Sequence, residues 1–360
     1  MKRGKSMKAH YRHYGCRITD DLTYKGIKTL FMENELLKIG ILLDKGADIF
    51  QLIHKQSDTD FLWKSPTGIT TPSKYRETIA SDSGSFLDHY HGGWQDIFPG
   101  GGPANYKGAE IGLHGEVTQL GWEYKIIEDT AECIKVEFTV DCIRTPFRVE
   151  KTIEIKSNNP SIYIVETITN LSMETLEFMW GQHPAIGAPF LREGVKLIIP
   201  ATKGEVHSPK FMESGIFKPG QKFDWPIIHT TEKQIDLSIV AGENAGYGDL
   251  IYLKDLKAGW YAILDQERKL GFGLAWPKEI LSCIWFWFVY GKSPGYPWWN
   301  RIYCLSLEPW SSAPNNLAKA IEQNTTFKIK GGENITIPLT AVVINNADEI
   351  TNIEINGTVT

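Results

Sequence analysis

The sequence lacks several features, and each absence removes a class of protein. Its five cysteines are odd in number and widely spaced, with no C-x-x-C pair, so we expect reduced, mostly buried thiols and no disulfide framework. No run of about 18 apolar residues is present to form a membrane-spanning helix. The opening residues, MKRGKSMKAHYRHYG, have no apolar core of a secretory signal. These absences predict a cytoplasmic protein with no membrane partner.

The chain also has fewer basic than acidic residues. The formal net charge is −5 and the isoelectric point is near 6.0, and the basic residues are scattered apart from a short cluster at the N-terminus. A chain of this kind has no net positive field to attract phosphate backbones. Nucleic acid is therefore not expected as a partner.

Helical patterns and linkers are sparse, whereas strand patterns recur along the chain. Runs such as CIKVEFTVDC at 133–142 and SIYIVETITN at 161–170 alternate polar and apolar residues with a period of two. The SNNP tetrapeptide before the second run indicates a hairpin turn, and APNNLAKAIEQN indicates a short helix opened by Pro314 and Asn315. The pattern predicts an all-β fold, a large antiparallel β-sandwich with few short helices and a cleft across one sheet.

A single large domain is the expected organisation. The chain has 360 residues, 42% of them hydrophobic, and no Gly/Ser- or Pro-rich linker divides it. We expect residues 25–360 to form one domain and residues 1–24 to be an extension packed on it. Large aromatic rings pack cores, but they also stack on the C–H faces of sugars. One C-terminal region contains Trp276, Trp285, Trp287, Trp298, Trp299 and Trp310.

The stretch EFMWGQHPAIG places a histidine directly after an apolar, strand-like run. Pro184 cannot donate a ladder hydrogen bond, so the strand is predicted to end or bulge near Gly181 and to present His183 at a sheet rim. A half-buried structural histidine is the alternative. The neighbouring Gln182 adds a polar group that a purely structural site would rarely need, so both side chains are candidates for binding a ligand.

Two further polar residues stand in settings suited to chemistry. His114 precedes Gly115, which allows close approach of backbone or ligand, although a water-exposed turn histidine is the alternative. Glu308 ends an apolar strand and is followed by Pro309. Burial disfavours a charged carboxylate and raises its pKa toward the range useful for a base at neutral pH. A strand-end glutamate paired with a lysine is the alternative for Glu308.

Together these short motifs resemble a known family. The LHG unit at 113–115, the W-x-x-H-P unit at 180–184 and the LEP unit at 307–309 occur in the order and approximate spacing of aldose 1-epimerases (galactose mutarotases) and their superfamily. LDKGADIFQL, ETITNLS and the closing KIKGGENITIPLTAVV look similar too. The resemblance therefore extends over most of the chain, from Lys25 to Asn345.

The resemblance implies a fold, a reaction and the roles of three residues. The fold would be the galactose mutarotase-like supersandwich, and the reaction would interconvert the α and β anomers of an aldose. His183 would act as general acid toward the ring oxygen, Glu308 would remove the proton from the anomeric hydroxyl, and His114 would help to hold the sugar. We expect the imidazole and the carboxylate on opposite sides of the sugar. Such acid–base ring opening requires no metal or organic cofactor.

The sequence departs from the family at one sugar contact. Members often carry an Asn-Arg pair before the first histidine, whereas Asn105 is followed here by Tyr106, which leaves Lys107 or Arg76 as substitutes. Asp249 is the candidate for the family's sugar-binding aspartate. The full set of expected substrate contacts is His114, Gln182, Asp249, Trp94, His91, Asn105 and Trp299. The substrate itself is left open between a free hexose, a phosphorylated sugar, a uronate and a disaccharide end.

Two other classes of function stay open. His89 and His91 have the H-x-H spacing of many metal sites and would share a face of an extended strand, with Gln95 or Asp96 nearby, in partial resemblance to a cupin. A carbohydrate-binding protein of the same fold would use the same aromatic residues while its acid–base pair stayed idle. Elemental analysis separates the first alternative, and an assay of anomer exchange separates the second.

Overall fold

The computed structural model describes residues 12–70 and 83–360. Two short helices occur in this part of the chain, α1 (Gly84–Leu87) and α2 (Leu317–Glu322). The first strands are β1 (Arg17–Tyr24), β2 (Ile27–Glu33), β3 (Leu37–Leu42), β4 (Asp48–His54), β5 (Thr59–Asp60), β6 (Trp94–Ile97), β7 (Ala104–Tyr106), β8 (Ala109–Ile111), β9 (Glu123–Asp129), β10 (Cys133–Asp141), β11 (Phe147–Lys156), β12 (Ser161–Asn170) and β13 (Leu176–Phe178). The remaining strands are β14 (Gly181–Gly187), β15 (Lys196–Ile198), β16 (Lys203–Val206), β17 (Lys222–Asp224), β18 (Ile227–His229), β19 (Gln234–Asp236), β20 (Tyr247–Lys254), β21 (Trp260–Asp265), β22 (Leu270–Ala275), β23 (Cys283–Tyr290), β24 (Tyr303–Trp310), β25 (Phe327–Ile329) and β26 (Asn334–Asn345).

Two large antiparallel sheets dominate the described residues. The larger has twelve strands in the order β1-β2-β3-β4-β6-β14-β24-β23-β20-β16-β17, with β5 paired to β4. The smaller has eight strands in the order β15-β21-β22-β26-β12-β11-β10-β9. Three two-stranded ribbons, β7-β8, β13-β25 and β18-β19, complete the set. The predicted all-β sandwich is confirmed.

The strands form where the sequence alternates. In β10 the residues Ile134, Val136 and Phe138 are buried while their neighbours are half-buried, which is the period of a sheet covered on one face. The predicted SNNP hairpin joins β11 to β12, with Ile155 opposite Ile162. The short C-terminal helix is confirmed as α2, but its N-cap is Asn316, whose side chain accepts a hydrogen bond from the Lys319 backbone N–H.

The inner faces of the two sheets pack on each other. Trp94 of the large sheet contacts Phe272 of the small sheet, with ring centroids 6.2 Å apart. One continuous apolar cluster includes buried residues from both sheets. Because the small sheet covers one face of the large sheet, the opposite face of the large sheet is available for a cavity.

The N-terminal segment takes part in the large sheet. β1 forms its edge strand and pairs antiparallel with β2, although this segment was expected to be only an extension on the body. The division of the chain at residues 24 and 25 stays a prediction. Over residues 12–70 and 83–360, no helix is long and apolar enough to cross a membrane.

Candidate active site

Neighbouring strands of the large sheet carry the candidate site. β14, β24, β23 and β20 lie side by side, with Glu308 opposite Trp285 and Trp285 opposite Tyr252. Directly opposed residues of adjacent strands point to the same face of a sheet. The three side chains therefore form a row on the face of the large sheet that the small sheet does not cover.

His183 and Glu308 meet at the end of this row. The His183 Nε2 atom lies 3.2 Å from the Glu308 Oε1 atom, and both side chains are buried. The Trp310 indole N–H donates to the second carboxyl oxygen of Glu308 at 3.0 Å. The Tyr90 hydroxyl lies 3.4 Å from His183 Nδ1, so each member of the pair has a second polar neighbour. The expected location on opposite sides of a sugar is wrong, because the two side chains are in direct contact.

Burial sets the protonation of the pair. It raises the pKa of Glu308 well above the ordinary value of a glutamate, against the opposing effect of the Trp310 N–H. It also lowers the pKa of His183 to about 4. Burial therefore disfavours the charged forms of both groups and favours a single proton shared between them.

The pair opens into a cavity of about 480 Å³ on the outer face of the large sheet. Small-molecule sites usually measure about 300–1,000 Å³, so this volume fits a sugar-sized ligand. The titratable lining groups include His114, His183, His207 and Glu308, and most of the wall is apolar. The aromatic part of the wall consists of Phe86, Tyr90, Phe211, Trp285, Trp287, Tyr296 and Trp298.

His114 reaches the cavity through an unusual backbone conformation. Its φ of 62° and the φ of 75° at Gly115 place two successive residues in the left-handed region, which most residues with a side chain avoid. The His114 ring lies 4.2 Å from the Phe86 ring and 5.0 Å from the His183 ring, measured between centroids. Its Nδ1 atom is buried without a hydrogen-bond partner in the described part of the chain. The ring as a whole lines the cavity beside His183.

The position of Gln182 on β14 differs from the prediction that it contacts the substrate. β14 begins at Gly181 and continues through Pro184, so adjacent side chains point to opposite faces. His183 faces the cavity, whereas the Gln182 amide lies between the sheets, donating to the Glu166 carboxyl at 3.0 Å and accepting from the Trp94 indole N–H at 2.7 Å. Neither Gln182 nor Trp94 lines the cavity, and their expected contact with substrate is wrong.

The histidines of the metal alternative are also placed differently than expected. His89 and His91 precede β6 rather than lying within a strand, and His91 is buried with its Nδ1 atom 3.9 Å from an Asp48 carboxyl oxygen. Gln95 donates to the Gly92 carbonyl group at 2.6 Å. His91 does not line the cavity. Across residues 12–70 and 83–360, no group of three or more His, Cys, Asp or Glu residues could hold a metal ion.

Other expected substrate contacts lie outside the cavity. Asn105 is in the exposed β7-β8 ribbon, where its side chain accepts from the Gly108 N–H, and Lys107 in the same ribbon pairs with Glu174. Asp249 is buried beside the cavity wall, but its neighbour Leu250 on β20 is the lining residue. Arg76 lies outside the described residues.

The exposed tryptophan of the expected set is likewise misassigned. Trp299 is 63% exposed and does not line the cavity, whereas the adjacent Trp298 is buried and does. The glycines of the FPGGGP stretch pack closely: a Cβ atom on Gly101 would lie 2.5 Å from the Trp285 ring. Gly101 and Gly102 line the cavity with their backbone.

Sequence reasoning missed several titratable residues of the wall, among them Tyr90, Glu213 and His207. His207 lines the cavity, and its Nδ1 atom lies 2.5 Å from the Tyr252 hydroxyl. A signal was present, because His207 follows β16 and is followed two positions later by Pro209, a setting similar to that of His183 and Pro184. Tyr252 gave a weaker signal, as one of many aromatic residues on strand patterns.

A family model matches residues 24–343 and is described as Domain of unknown function (DUF4432). The chain belongs to the DUF4432 family. No curated protein matches the sequence of this DUF4432 member.

Solved structures show the fold that this DUF4432 domain adopts. A candidate aldose 1-epimerase from Klebsiella pneumoniae superimposes with a TM-score of 0.72 at 14% identity, covering 92% of this chain and 83% of the other. A galactose mutarotase-like protein from Clostridium acetobutylicum has a TM-score of 0.64 at 15% identity, with 92% and 99% covered. A galactose mutarotase related enzyme from Lactobacillus acidophilus has a TM-score of 0.60 at 17% identity, with 90% and 100% covered. The fold of the chain is thus galactose mutarotase-like, as its motifs indicated.

Proposed function

We propose that the chain is an aldose 1-epimerase-like enzyme that interconverts the α and β anomers of an aldose by acid–base ring opening and reclosure. The observation that carries the proposal is the contact between His183 and Glu308 in one cavity, with His114 beside them. A proton donor next to a proton acceptor, under an aromatic wall, is what opening a cyclic hemiacetal requires.

The direct contact between the two groups suits this chemistry. The ring oxygen and the anomeric hydroxyl oxygen are bonded to the same carbon atom, so they are close neighbours in any pyranose. An acid and a base that touch each other can therefore face these two oxygens from one side of the sugar. Two groups on opposite sides of the ring are not needed.

The reaction leaves the proton count of the pair unchanged. In the protonation state that burial favours, the Glu308 carboxyl donates its proton to the ring oxygen while His183 accepts the proton of the anomeric hydroxyl. The bond between C1 and the ring oxygen breaks, and a C1 carbonyl group forms. Rotation about the adjacent C–C bond exposes the other face of the carbonyl, and the reverse proton transfers close the ring as the other anomer.

The resemblance assigns the same pair in the opposite sense, with His183 as acid and Glu308 as base. Transfer of the shared proton from the carboxyl group to the imidazole converts one arrangement into the other without adding or removing a proton. Each sense needs the pair to carry one proton in total, and each contributes about 10²–10⁴-fold to the rate. The two residues are therefore proposed as the catalytic pair in either sense.

Substrate binding is proposed to use the remaining lining groups. His114 lines the cavity next to His183 and is assigned to a sugar hydroxyl, and Trp287 and Trp298 offer apolar surface for the C–H face of a ring. The unpaired state of all five cysteines fits a reducing compartment, so we place the reaction in the cytoplasm.

The test is a direct measurement of anomer exchange. A freshly dissolved α-sugar is followed by polarimetry or by NMR exchange spectroscopy with the wild type, with Glu308→Gln and with His183→Gln. We expect acceleration by the wild type and a loss of about 10²–10⁴-fold in each variant. A wild type that binds the sugar without accelerating exchange is a binding protein, and the proposal is then wrong.

A further inference from the structure

The cavity extends well beyond the catalytic pair. Its other end contains His207, whose Nδ1 atom is held by the Tyr252 hydroxyl at 2.5 Å. The hydrogen bond fixes the orientation of the imidazole and leaves the Nε2 atom without a partner in the described part of the chain. Anomer exchange as proposed above does not use this second polar group.

Strand geometry separates the two polar ends. Tyr252 on β20 and Glu308 on β24 are two strands apart, with Trp285 of β23 between them. Adjacent strands are about 4.8 Å apart, so the two backbones are separated by about 10 Å. Oxygens on opposite carbons of one pyranose are roughly 6 Å apart, given carbon–carbon bonds of about 1.5 Å. A single sugar ring on His183 and Glu308 would not occupy the region near His207.

The chemistry of this far end favours neutral hydroxyl groups. Burial, and to a smaller extent the charge of Lys319, lowers the pKa of His207, so the imidazole is neutral at neutral pH. A neutral imidazole nitrogen exchanges hydrogen bonds with hydroxyl groups as donor or acceptor. Among the lining residues in the described part of the chain, the acidic side chains Glu213 and Glu308 are present and no lysine or arginine is. Such a lining offers no cationic side chain to pair with a phosphate or a uronate.

The wall at this end also provides apolar surface. Phe211 lines the cavity, is 42% exposed and packs edge-on against His207, with ring centroids 5.6 Å apart. Met212 and Leu250 line the same region. An exposed aromatic ring beside a fixed hydrogen-bonding group is a suitable surface for a second sugar ring.

We propose that the cavity binds the reducing end of a neutral disaccharide, with the reducing ring at His183 and Glu308 and the second ring at His207 and Phe211. The inference rests on the proposed function for the placement of the reducing ring. It names a substrate class and assigns His207, oriented by Tyr252, as a residue that determines specificity.

Binding of sugars tests the inference independently of catalysis. Isothermal titration calorimetry compares maltose and cellobiose with glucose, and lactose with glucose and galactose, using the wild type, Tyr252→Phe and His207→Phe. We expect at least one disaccharide to bind about tenfold more tightly than its reducing monosaccharide. The ratio of the two affinities should fall about 5–10-fold in each variant, because one hydrogen bond to the second ring is lost or loosened.

A matched control removes a tyrosine hydroxyl elsewhere. Tyr163 lies on β12 of the small sheet, and its hydroxyl contacts the Asn356 carbonyl group at 3.2 Å, so Tyr163→Phe should leave the affinity ratio within twofold of the wild type. The inference is overturned if no disaccharide binds more tightly than its reducing monosaccharide. It is equally overturned if the preference survives both His207→Phe and Tyr252→Phe, or if glucose 6-phosphate or glucuronate binds more tightly than every neutral disaccharide.

The two proposals fail in different ways. Anomer exchange of glucose without preferential binding of a disaccharide would leave the proposed function intact and refute this inference. Preferential disaccharide binding that depends on His207, without any acceleration of anomer exchange, would refute the enzymatic function and support the assigned binding site.

Discussion

The buried Glu166 carboxyl is expected to hold the strand of the catalytic histidine in place. It lies on β12 of the small sheet and accepts hydrogen bonds from the Trp180 indole at 2.9 Å and from the Gln182 amide at 3.0 Å. These two donors flank Gly181, at the start of β14. Because a shift of one residue would exchange the faces of Gln182 and His183, the contact fixes which of them reaches the cavity.

The magnitude follows from the donors that a substitution leaves without a partner. Glu166→Leu would leave the Trp180 and Gln182 N–H groups buried and unpaired, and each such group costs about 1–3 kcal/mol. The expected loss is therefore about 2–6 kcal/mol of a total unfolding free energy of about 5–15 kcal/mol. Glu166→Gln keeps one acceptor oxygen, so we expect a loss of less than about 2 kcal/mol.

The assay is equilibrium unfolding in urea of the wild type and the two variants. Glu150→Leu is the matched control, because Glu150 is half-buried on the neighbouring β11, and the expected change there is within about 0.5 kcal/mol. A loss below about 1 kcal/mol in Glu166→Leu would refute the reasoning. It would mean that neither hydrogen bond contributes to holding β14 against the small sheet.

Three further predictions concern the site and its surroundings. Because burial lowers the pKa of His183 to about 4, kcat/KM for anomer exchange should fall on the acid side near pH 4, where the imidazole becomes protonated. Gly181→Ala should lower the unfolding free energy by about 1–3 kcal/mol in urea, since its Cβ atom would lie 2.4 Å from the Trp310 ring. Burial raises the pKa of Asp249 from 3.8 to about 6, so ionisation costs stability as pH rises through that interval. Asp249→Asn should therefore remove a loss of up to about 3 kcal/mol between pH 4 and pH 7, measured by urea unfolding.

A specific result would contradict each of these predictions. An acid limb of kcat/KM near pH 6.5 would show that the pair titrates like an ordinary imidazole. Unchanged stability of Gly181→Ala would show that the Trp310 ring moves without cost. Parallel pH profiles of unfolding for the wild type and Asp249→Asn would show that this carboxyl has the same pKa in the folded and unfolded chains.

The sequence predicted the sheets well because both of their signals are local. Alternation along β10, β11 and β12 identifies strands with one covered face, and the SNNP turn identifies the hairpin between two of them. The order of strands within the sheets depends on contacts between distant segments, such as β14 with β24, which no local pattern reveals. The pairing of His183 with Glu308 was predicted from the resemblance of the motifs to a known family, not from a local pattern.

The errors at the site have a common physical origin. Gln182 was expected at the cavity as the neighbour of His183, and Trp299 as one of the tryptophans of the C-terminal region. Adjacent residues need not face the same way, because Gln182 and His183 alternate along β14 while Trp298 and Trp299 lie in a turn. Because the strand was predicted to end near Gly181, the alternation of Gln182 and His183 along it was not foreseen. His207 was overlooked because its role depends on Tyr252, which lies on another strand.

The position of β14 inside the large sheet has a consequence for biosynthesis. Its partner β24 is made much later than β6, its other neighbour, so a chain still emerging from the ribosome exposes β14 as an open edge. The nascent chain then contains both His114 and His183 but not yet Glu308, the carboxyl group of the site. The site is therefore complete only once residues 303–310 have been added to the sheet.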